Sequence, residues 1–320
     1  MSTSDHIIQE VCSGGVSFFN HILPMISFFL TVMLAVPMVI VILTDRKYHE
    51  VFYLCIVVLL FMNAGLYITN YLTDRLVYLP IICPYYVTNF DQVTFNFNTV
   101  LCVLFCYFPI GYAICTFVMS LNRACVIYDP IHGAQFWRKR TKLVLVGCVV
   151  VPLVISVLNP PFGARINFFP DGIIFYALER VYFHPTTFTL MATSSSICVL
   201  FTMILTSYSI YGIRKKKRDS TTNLEVNLFV VGLGLSFFSV VLTSFLFTTA
   251  FASIVLDANN VTADVAKYRG FFFDFSSLGP TWFIFIVDRR LREKILIKLG
   301  KKKKSHDNSS TIFHIRSVVF

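Results

Sequence analysis

The sequence predicts an all-α membrane protein: a bundle of seven transmembrane helices, N-terminus outside, with an amphipathic surface helix after the seventh span. Three observations carry this expectation. The chain of 320 residues is 56% hydrophobic and only 14% charged. Residues 11–44, 51–73, 92–122, 143–164, 181–213 and 226–256 contain no Asp, Glu, Lys or Arg, and 270–287 is interrupted only by Asp274. A hydrocarbon core about 30 Å thick needs roughly 20 apolar residues of helix, whereas surface helices of water-soluble folds need a polar face that these runs lack. The third observation is the distribution of basic residues, which fixes the orientation.

In chain order the spans are expected near 23–43, 51–70, 93–121, 143–158, 187–211, 227–255 and 270–287, with ends uncertain by a few residues. The third is drawn from a run of 31 uncharged residues, Gln92 to Asn122, which stops at Arg123. The organisation that follows is an outer N-terminus (1–22), the bundle (23–287), a juxtamembrane helix (288–300) and a basic tail (301–320). Pro109 and Pro280 fall inside spans, where neighbouring groups can satisfy the freed carbonyls. They are candidate helix hinges or, equally, static bends.

With the N-terminus outside, 22 of the 27 Lys and Arg residues face the cytoplasm. The run 76–90, "LVYLPIICPYYVTNF", invites an eighth span, but it has 15 residues and two prolines, and inserting it would leave 6 basic residues inside and 21 outside. The positive-inside rule rejects that arrangement. The first 22 residues contain no Lys or Arg and so lack the basic region of a secretory signal peptide; the first span is expected to act as the insertion signal. The net charge of +10 sits in loops that flank the membrane, where topology and anionic lipid headgroups account for it, so nucleic acid is not expected as a partner.

No enzyme is expected. Six of the seven histidines lie in loops or tails, His21 sits at the edge of the first span, and there is no HExxH, no GxSxG and no carboxylate pair within a span. No loop is long enough to fold as a catalytic domain, and neither a metal site nor a cofactor is expected. Transporters concentrate ionisable groups in their helices, yet Asp274 stands nearly alone. It is read as hydrated near the outer interface, with pairing to a cationic ligand, an ion or Asn63 as the alternative. Asn96, Asn98 and Ser194 to Ser196 either line a ligand pocket, with Ser195 and Asp274 as candidates, or hydrogen-bond between helices at about 0.6 kcal/mol each. Of nine cysteines, Cys12 and Cys83 are placed on the oxidising side, where a disulfide is open but unproven by spacing. Asn260, in the sequon Asn260-Val261-Thr262, is expected in the outer loop before the last span, where a glycan is reachable.

The segment after the last span, "DRRLREKILIKLGKKKK", places Leu291, Ile295 and Leu299 at i, i+4, i+8 among basic residues. That pattern is an apolar stripe on a basic helix, expected to lie in the headgroup layer against anionic lipid. Together with the arginine ending span three and the basic stretch "RKKKRDSTTN", this inner face resembles that of a G-protein-coupled receptor. More narrowly, "SLNRACVIYDPIHGAQFWRKR" and "GPTWFIFIVDRRLREKI" are similar to signatures of the nematode serpentine chemoreceptors of the Srg superfamily, in class Srg or a sister class.

The resemblance implies a chemosensory receptor in the plasma membrane of a sensory neuron that takes a small-molecule ligand and couples to a heterotrimeric G protein. Arg123 then corresponds to the arginine of the Asp-Arg-Tyr motif of rhodopsin-like receptors, with Asn122 in place of the acid and Ala124 in place of the tyrosine. The coupling face implied comprises Asn122, Arg123, Arg138, Lys139, Arg140, Lys215, Lys216 and Arg292. Arg123 is read as a latch that snorkels to the interface and exchanges partners, or else as a simple topology anchor. The outer loop before span five has no cysteine and the Asn-Pro-x-x-Tyr pattern is replaced by Gly279-Pro280-Thr281-Trp282-Phe283, so the usual outer disulfide and the details of rhodopsin-like activation do not carry over. Two rivals remain: a small transporter or channel, for which an internal repeat would speak, and a membrane partner protein that does not signal.

The orientation has a direct test. An epitope at the N-terminus should be accessible to antibody on intact cells, and one at the C-terminus only after permeabilisation; the reverse staining would overturn the charge argument.

Overall fold

The computed structural model describes residues 21–45, 48, 50–75, 90–158, 164–168, 174–178, 184–216, 223–255, 259–298 and 300. The helices are α1 (Leu23–Thr44), α2 (Val51–Asp74), α3 (Phe90–Tyr128), α4 (Pro130–Leu158), α5 (His184–Lys216), α6 (Asn223–Val255), α7 (Asn259–Val287) and α8 (Arg289–Lys298). Seven of them are long and apolar enough to cross a membrane, as the uncharged runs required. Between α4 and α5 the chain forms an antiparallel hairpin, β1 (Ala164–Phe168) with β2 (Ile174–Leu178), pairing Ala164 with Leu178 and Phe168 with Ile174. The expectation gave this aromatic loop no regular structure.

Burial ranks the helices. The hydropathic window of α3 is 72% buried, that of α4 only 17%, so α3 is the axis and α4 lies at the rim. Helix α3 packs against α2, α4, α5 and α6. Leu143, Val146, Leu153 and Val157 on α4 and Leu200, Met203 and Ile204 on α5 stay exposed. Apolar side chains in that position are what a lipid-facing surface needs, because hydrocarbon is no worse a neighbour for them than another helix.

Two boundaries differ instructively from expectation. Helix α4 begins at Pro130, not near 143, so most of the segment read as the second inner loop is helical. Asp129 and Pro130 start it: the Asp129 carboxylate accepts the backbone N–H of His132 at 3.0 Å, and proline at the first helical position gives up an N–H that would have no partner there. Gly133 and Trp137 then face inward one turn apart; a Cβ on Gly133 would stand 2.9 Å from the carbonyl oxygen of Cys125, the close approach that closes the α3–α4 corner. Helix α7 likewise begins at Asn259, which puts Asn260 in its first turn and not in a loop. Both extensions carry charges, and a search for uncharged runs stops where charges begin.

Hydroxyls inside the bundle mostly serve their own helix. Thr31, Thr73, Thr116, Ser156, Thr202, Ser209, Ser236 and Thr249 each donate to the carbonyl four residues back, and Ser194 donates to Leu190 instead of bridging helices. Cross-helix links are fewer: the Tyr112 hydroxyl donates to the Leu235 carbonyl at 3.2 Å, Thr116 Oγ1 and Ser239 Oγ lie 3.5 Å apart, and the Trp282 indole donates to Thr31 Oγ1 at 2.9 Å. These tie α3 to α6 and α7 to α1. Helices α3 and α7 run through Pro109 and Pro280 without a break in assignment.

Helices α6 and α7 are joined by a reciprocal fit. On α6, Gly234 lies one turn before Phe238; on α7, Gly279 lies one turn before Phe283. A Cβ on Gly234 would fall 2.0 Å from the Phe283 ring, and one on Gly279 would fall 2.3 Å from the Phe238 ring. Each helix seats its ring in the other's glycine notch, and the two rings meet edge to face at 6.1 Å. Gly279→Ala is therefore overpacking against a buried ring, expected to destabilise by about 1–3 kcal/mol and to lower the melting temperature of detergent-solubilised protein by several degrees. Adding Phe238→Leu should restore part of the loss; a double variant no more stable than Gly279→Ala alone would show that the notch is not what the glycine is for.

Candidate functional site

The uncharged run of α3 stops at an arginine that the structure buries. Arg123 is 7% exposed and Asn122, beside it, 4%. The Arg123 guanidinium does not extend to the interface as expected. It lies over the ring of Phe52 on α2, 4.3 Å from the centroid, and its Nη2 is 3.8 Å from the carboxylate of Glu50, whose side chain is 59% exposed. A desolvated cation–π contact reaches about 2 kcal/mol, whereas an ion pair with so exposed a carboxylate contributes roughly 0–1 kcal/mol. The ring is the principal seat, and Phe52 is itself fully buried. The Asn122 Oδ1 is buried with no hydrogen-bond partner.

Around this seat α1, α2, α7 and α8 are strapped together. Asp288, between α7 and α8, is 2% exposed; one oxygen accepts the Tyr53 hydroxyl at 3.1 Å and the other accepts the Leu291 N–H at 3.0 Å, which caps α8. Tyr48, in the turn between α1 and α2, meets Tyr53 edge to face at 4.8 Å. Burial, with the charges of Asp288 and Asp45, pushes its phenol up to about 12. Lys294 pairs with Asp45 at 3.2 Å, and Lys298 donates to Thr44 Oγ1 at 2.6 Å. The apolar stripe of α8 is thereby corrected: Leu291 and Ile295 are 0% and 1% exposed because they pack on the bundle and not into a headgroup layer. Leu299 lies outside the described residues. Arg292, expected on the coupling face, donates to the Ile286 carbonyl at the end of α7.

The other basic residues on this side are available. Arg138, Lys139 and Arg140 on α4 and Lys215 on α5 are exposed, and the Arg140 guanidinium lies 4.2 Å from the Phe136 ring centroid. Lys216 ends α5; its side chain is outside the described residues. Arg123 and the exposed groups thus share one end of the bundle. Glu50, Phe52, Tyr53 and Asp288 were missed from sequence; the acid following an uncharged span and preceding a basic amphipathic run is a helix-start signal that marks Asp288.

The opposite end holds the second charged centre. Asp274 forms a bidentate pair with Arg75 at the end of α2, an alternative the sequence did not offer, through Nη1 to Oδ1 at 3.0 Å and Nη2 to Oδ2. The side chains are 10% and 17% exposed. Gly270, one turn before Asp274, leaves room for the guanidinium, which would stand 3.0 Å from a Cβ there. Ser195 is 1% exposed, with its hydroxyl buried and without a partner. Asn96 and Asn98 lie on α3, but their side chains are outside the described residues, as are Cys12 and Cys83 altogether. Among the described residues no group of three His, Cys, Asp or Glu side chains is placed to hold a metal.

A family model described as Srg family chemoreceptor matches residues 22–295. A search of curated proteins finds no match. Among solved structures 257 chains match, one of them the crystal structure of squid rhodopsin. It is 13% identical, aligns with a TM-score of 0.64, and covers 94% of this chain and 87% of its own. At that identity the likeness shows a shared fold. With all seven spans and most of α8 inside the matched region, the chain belongs to the Srg family of chemoreceptors.

Proposed function

We propose that the protein is a chemosensory G-protein-coupled receptor of the plasma membrane, oriented with the Arg75 end outside and the Arg123 end in the cytoplasm. A small molecule binds from the outer half, and a heterotrimeric G protein engages the inner end. The observation that carries this reading is the seat of Arg123. A buried cation that lies over the Phe52 ring of α2 and within 3.8 Å of the exposed Glu50 carboxylate just before that helix is placed so that a modest rearrangement of α2 against α3 moves it toward the exposed groups on α4 and α5. Ligand binding drives that rearrangement only in so far as the ligand binds the released arrangement more tightly than the resting one.

The coupling face is Asn122 and Arg123 with Arg138, Lys139, Arg140, Lys215 and Lys216. Arg292 is spent on capping α7 and serves this face by holding α8 in place. Helix α8 meets anionic headgroups through its outward charges, Arg289 among them with a side chain 75% exposed, while its stripe stays on the protein. Asn122 replaces the acid that would hold the arginine by charge in rhodopsin-like receptors, and the ring of Phe52 takes over that restraint.

The ranking of variants tests the seat. At equal surface level, measured by G-protein dissociation in a heterologous cell, Arg123→Ala should abolish basal and evoked coupling. Phe52→Leu should raise basal coupling by roughly 2- to 30-fold, the factor equivalent to a cation–π contact of about 0.5–2 kcal/mol. Glu50→Gln should change it by less than about 5-fold. Loss of surface delivery together with coupling in Arg123→Ala would favour the anchor reading, and absence of coupling in the wild type to every G protein tried would favour a protein that does not signal.

A further inference from the structure

Around the Arg75–Asp274 pair the structure gathers polar groups that the fold buries without employing. His21, just before α1, is 6% exposed and its Nδ1 has no hydrogen-bond partner. The Tyr67 hydroxyl, on α2, belongs to a residue 3% exposed; it lies beside Arg75 and Asp274 and finds no well-aligned hydrogen-bond partner among the described residues. Asn70, three residues on and so on the adjoining helical surface, is 0% exposed with both amide atoms unpartnered. Leaving such groups dry and unpaired is costly, and most hydroxyls elsewhere in the bundle avoid it by bonding their own helix. Tyr67 and Asn70 cannot reach their own backbone that way.

The walls are aromatic. Tyr67 stacks on Phe28 of α1 at 4.3 Å with the rings 6° from parallel, and the Arg75 guanidinium stands 6.0 Å from the Tyr71 ring centroid. Charge is already balanced: Arg75 and Asp274 satisfy one another. His21 is held below its ordinary value by burial and by the Arg75 charge, and so is neutral at physiological pH. A charged ligand would have to break the pair and strand one of its members, whereas an uncharged one need only meet the orphaned donors and acceptors.

We propose that the junction of α1, α2 and α7, where His21, Phe28, Tyr67, Asn70 and the Arg75–Asp274 pair come together, is a ligand-binding site for a small uncharged molecule. That molecule carries an adjacent hydrogen-bond donor and acceptor, as an amide does, on a flat apolar body. The donor–acceptor edge meets Asn70 and Tyr67, and the flat body lies against the aromatic wall. This deepens the receptor reading by naming the ligand end, and it rests on that reading only for the consequence of binding, not for binding itself.

The experiment is a thermal-shift measurement on the purified full chain in lipid nanodiscs, with four probes of similar size: benzamide, benzoate, benzylamine and toluene. At a concentration about tenfold above its Kd, benzamide should raise the melting temperature by about 2 °C or more. Benzoate and benzylamine should give no rise, and toluene less than half of it. Tyr67→Phe, which keeps the ring and removes only the hydroxyl, and Asn70→Leu should each reduce the benzamide shift by half or more. A shift as large with the charged probes or with toluene would overturn the proposal. So would a benzamide shift unchanged in Tyr67→Phe, or no shift with any probe, the outcome expected if water alone satisfies these groups. Because binding is read without coupling, failure here leaves the G-protein assay untouched, and failure of that assay leaves this one standing.

Discussion

The rest of this structure depends on one constraint: the uncharged run of α3, residues 92–122, is packed by helices α2, α4, α5 and α6 and yet stops at an arginine. Burying 72% of its hydropathic window is possible because its surface is apolar where neighbours press on it, from Leu101 and Phe105 to Ile110, Tyr112 and Met119. The same packing forbids Arg123 an open route to water. One surface that takes up the guanidinium is the Phe52 face, which accepts a cation without supplying a counter-charge. The site is thus a by-product of the core.

Polar groups in the bundle divide into two populations. Most hydroxyls are spent on their own helix backbone, which costs no packing and fixes no neighbour. A minority, Asn63, Asn70, Tyr67, Ser195 and Ser276, are buried with side-chain atoms that find no partner among the described residues. Three of these lie along α2 and one on α7, the helices that the Arg75–Asp274 pair clamps together at one end. In a medium without water such groups persist where something else satisfies them. The clustering along one helix is therefore more informative than any single residue in it.

The spans were legible because lipid imposes a crude requirement, a long run without charge, that survives in sequence without tertiary knowledge. Helix ends were not, since α4 and α7 continue past their first charges; the Asp129-Pro130 cap, with Gly133 and Trp137 one turn apart, was a readable sign of the first extension. Arg123 and the basic residues of α4 and α5 were found by position, but the partner of Arg123 was not, because a ring 71 positions away carries no charge to betray it. The Arg75–Asp274 pair, separated by 199 residues, was hidden for the same reason, as only the folded chain brings those helix ends together. The α8 stripe was read correctly as a stripe and assigned to the wrong neighbour: periodicity shows that a face is buried, not what buries it.

The central claim is that Arg123 rests on Phe52 in the free receptor and leaves it when the inner end is engaged. Electron cryo-microscopy of the receptor alone and in complex with a heterotrimeric G protein addresses it directly. The account predicts density for the Arg123 guanidinium over the Phe52 ring in the free state, and in the complex a guanidinium turned away from the ring and in contact with the G protein. A guanidinium still stacked on Phe52 in the coupled complex, remote from the G protein, would contradict it.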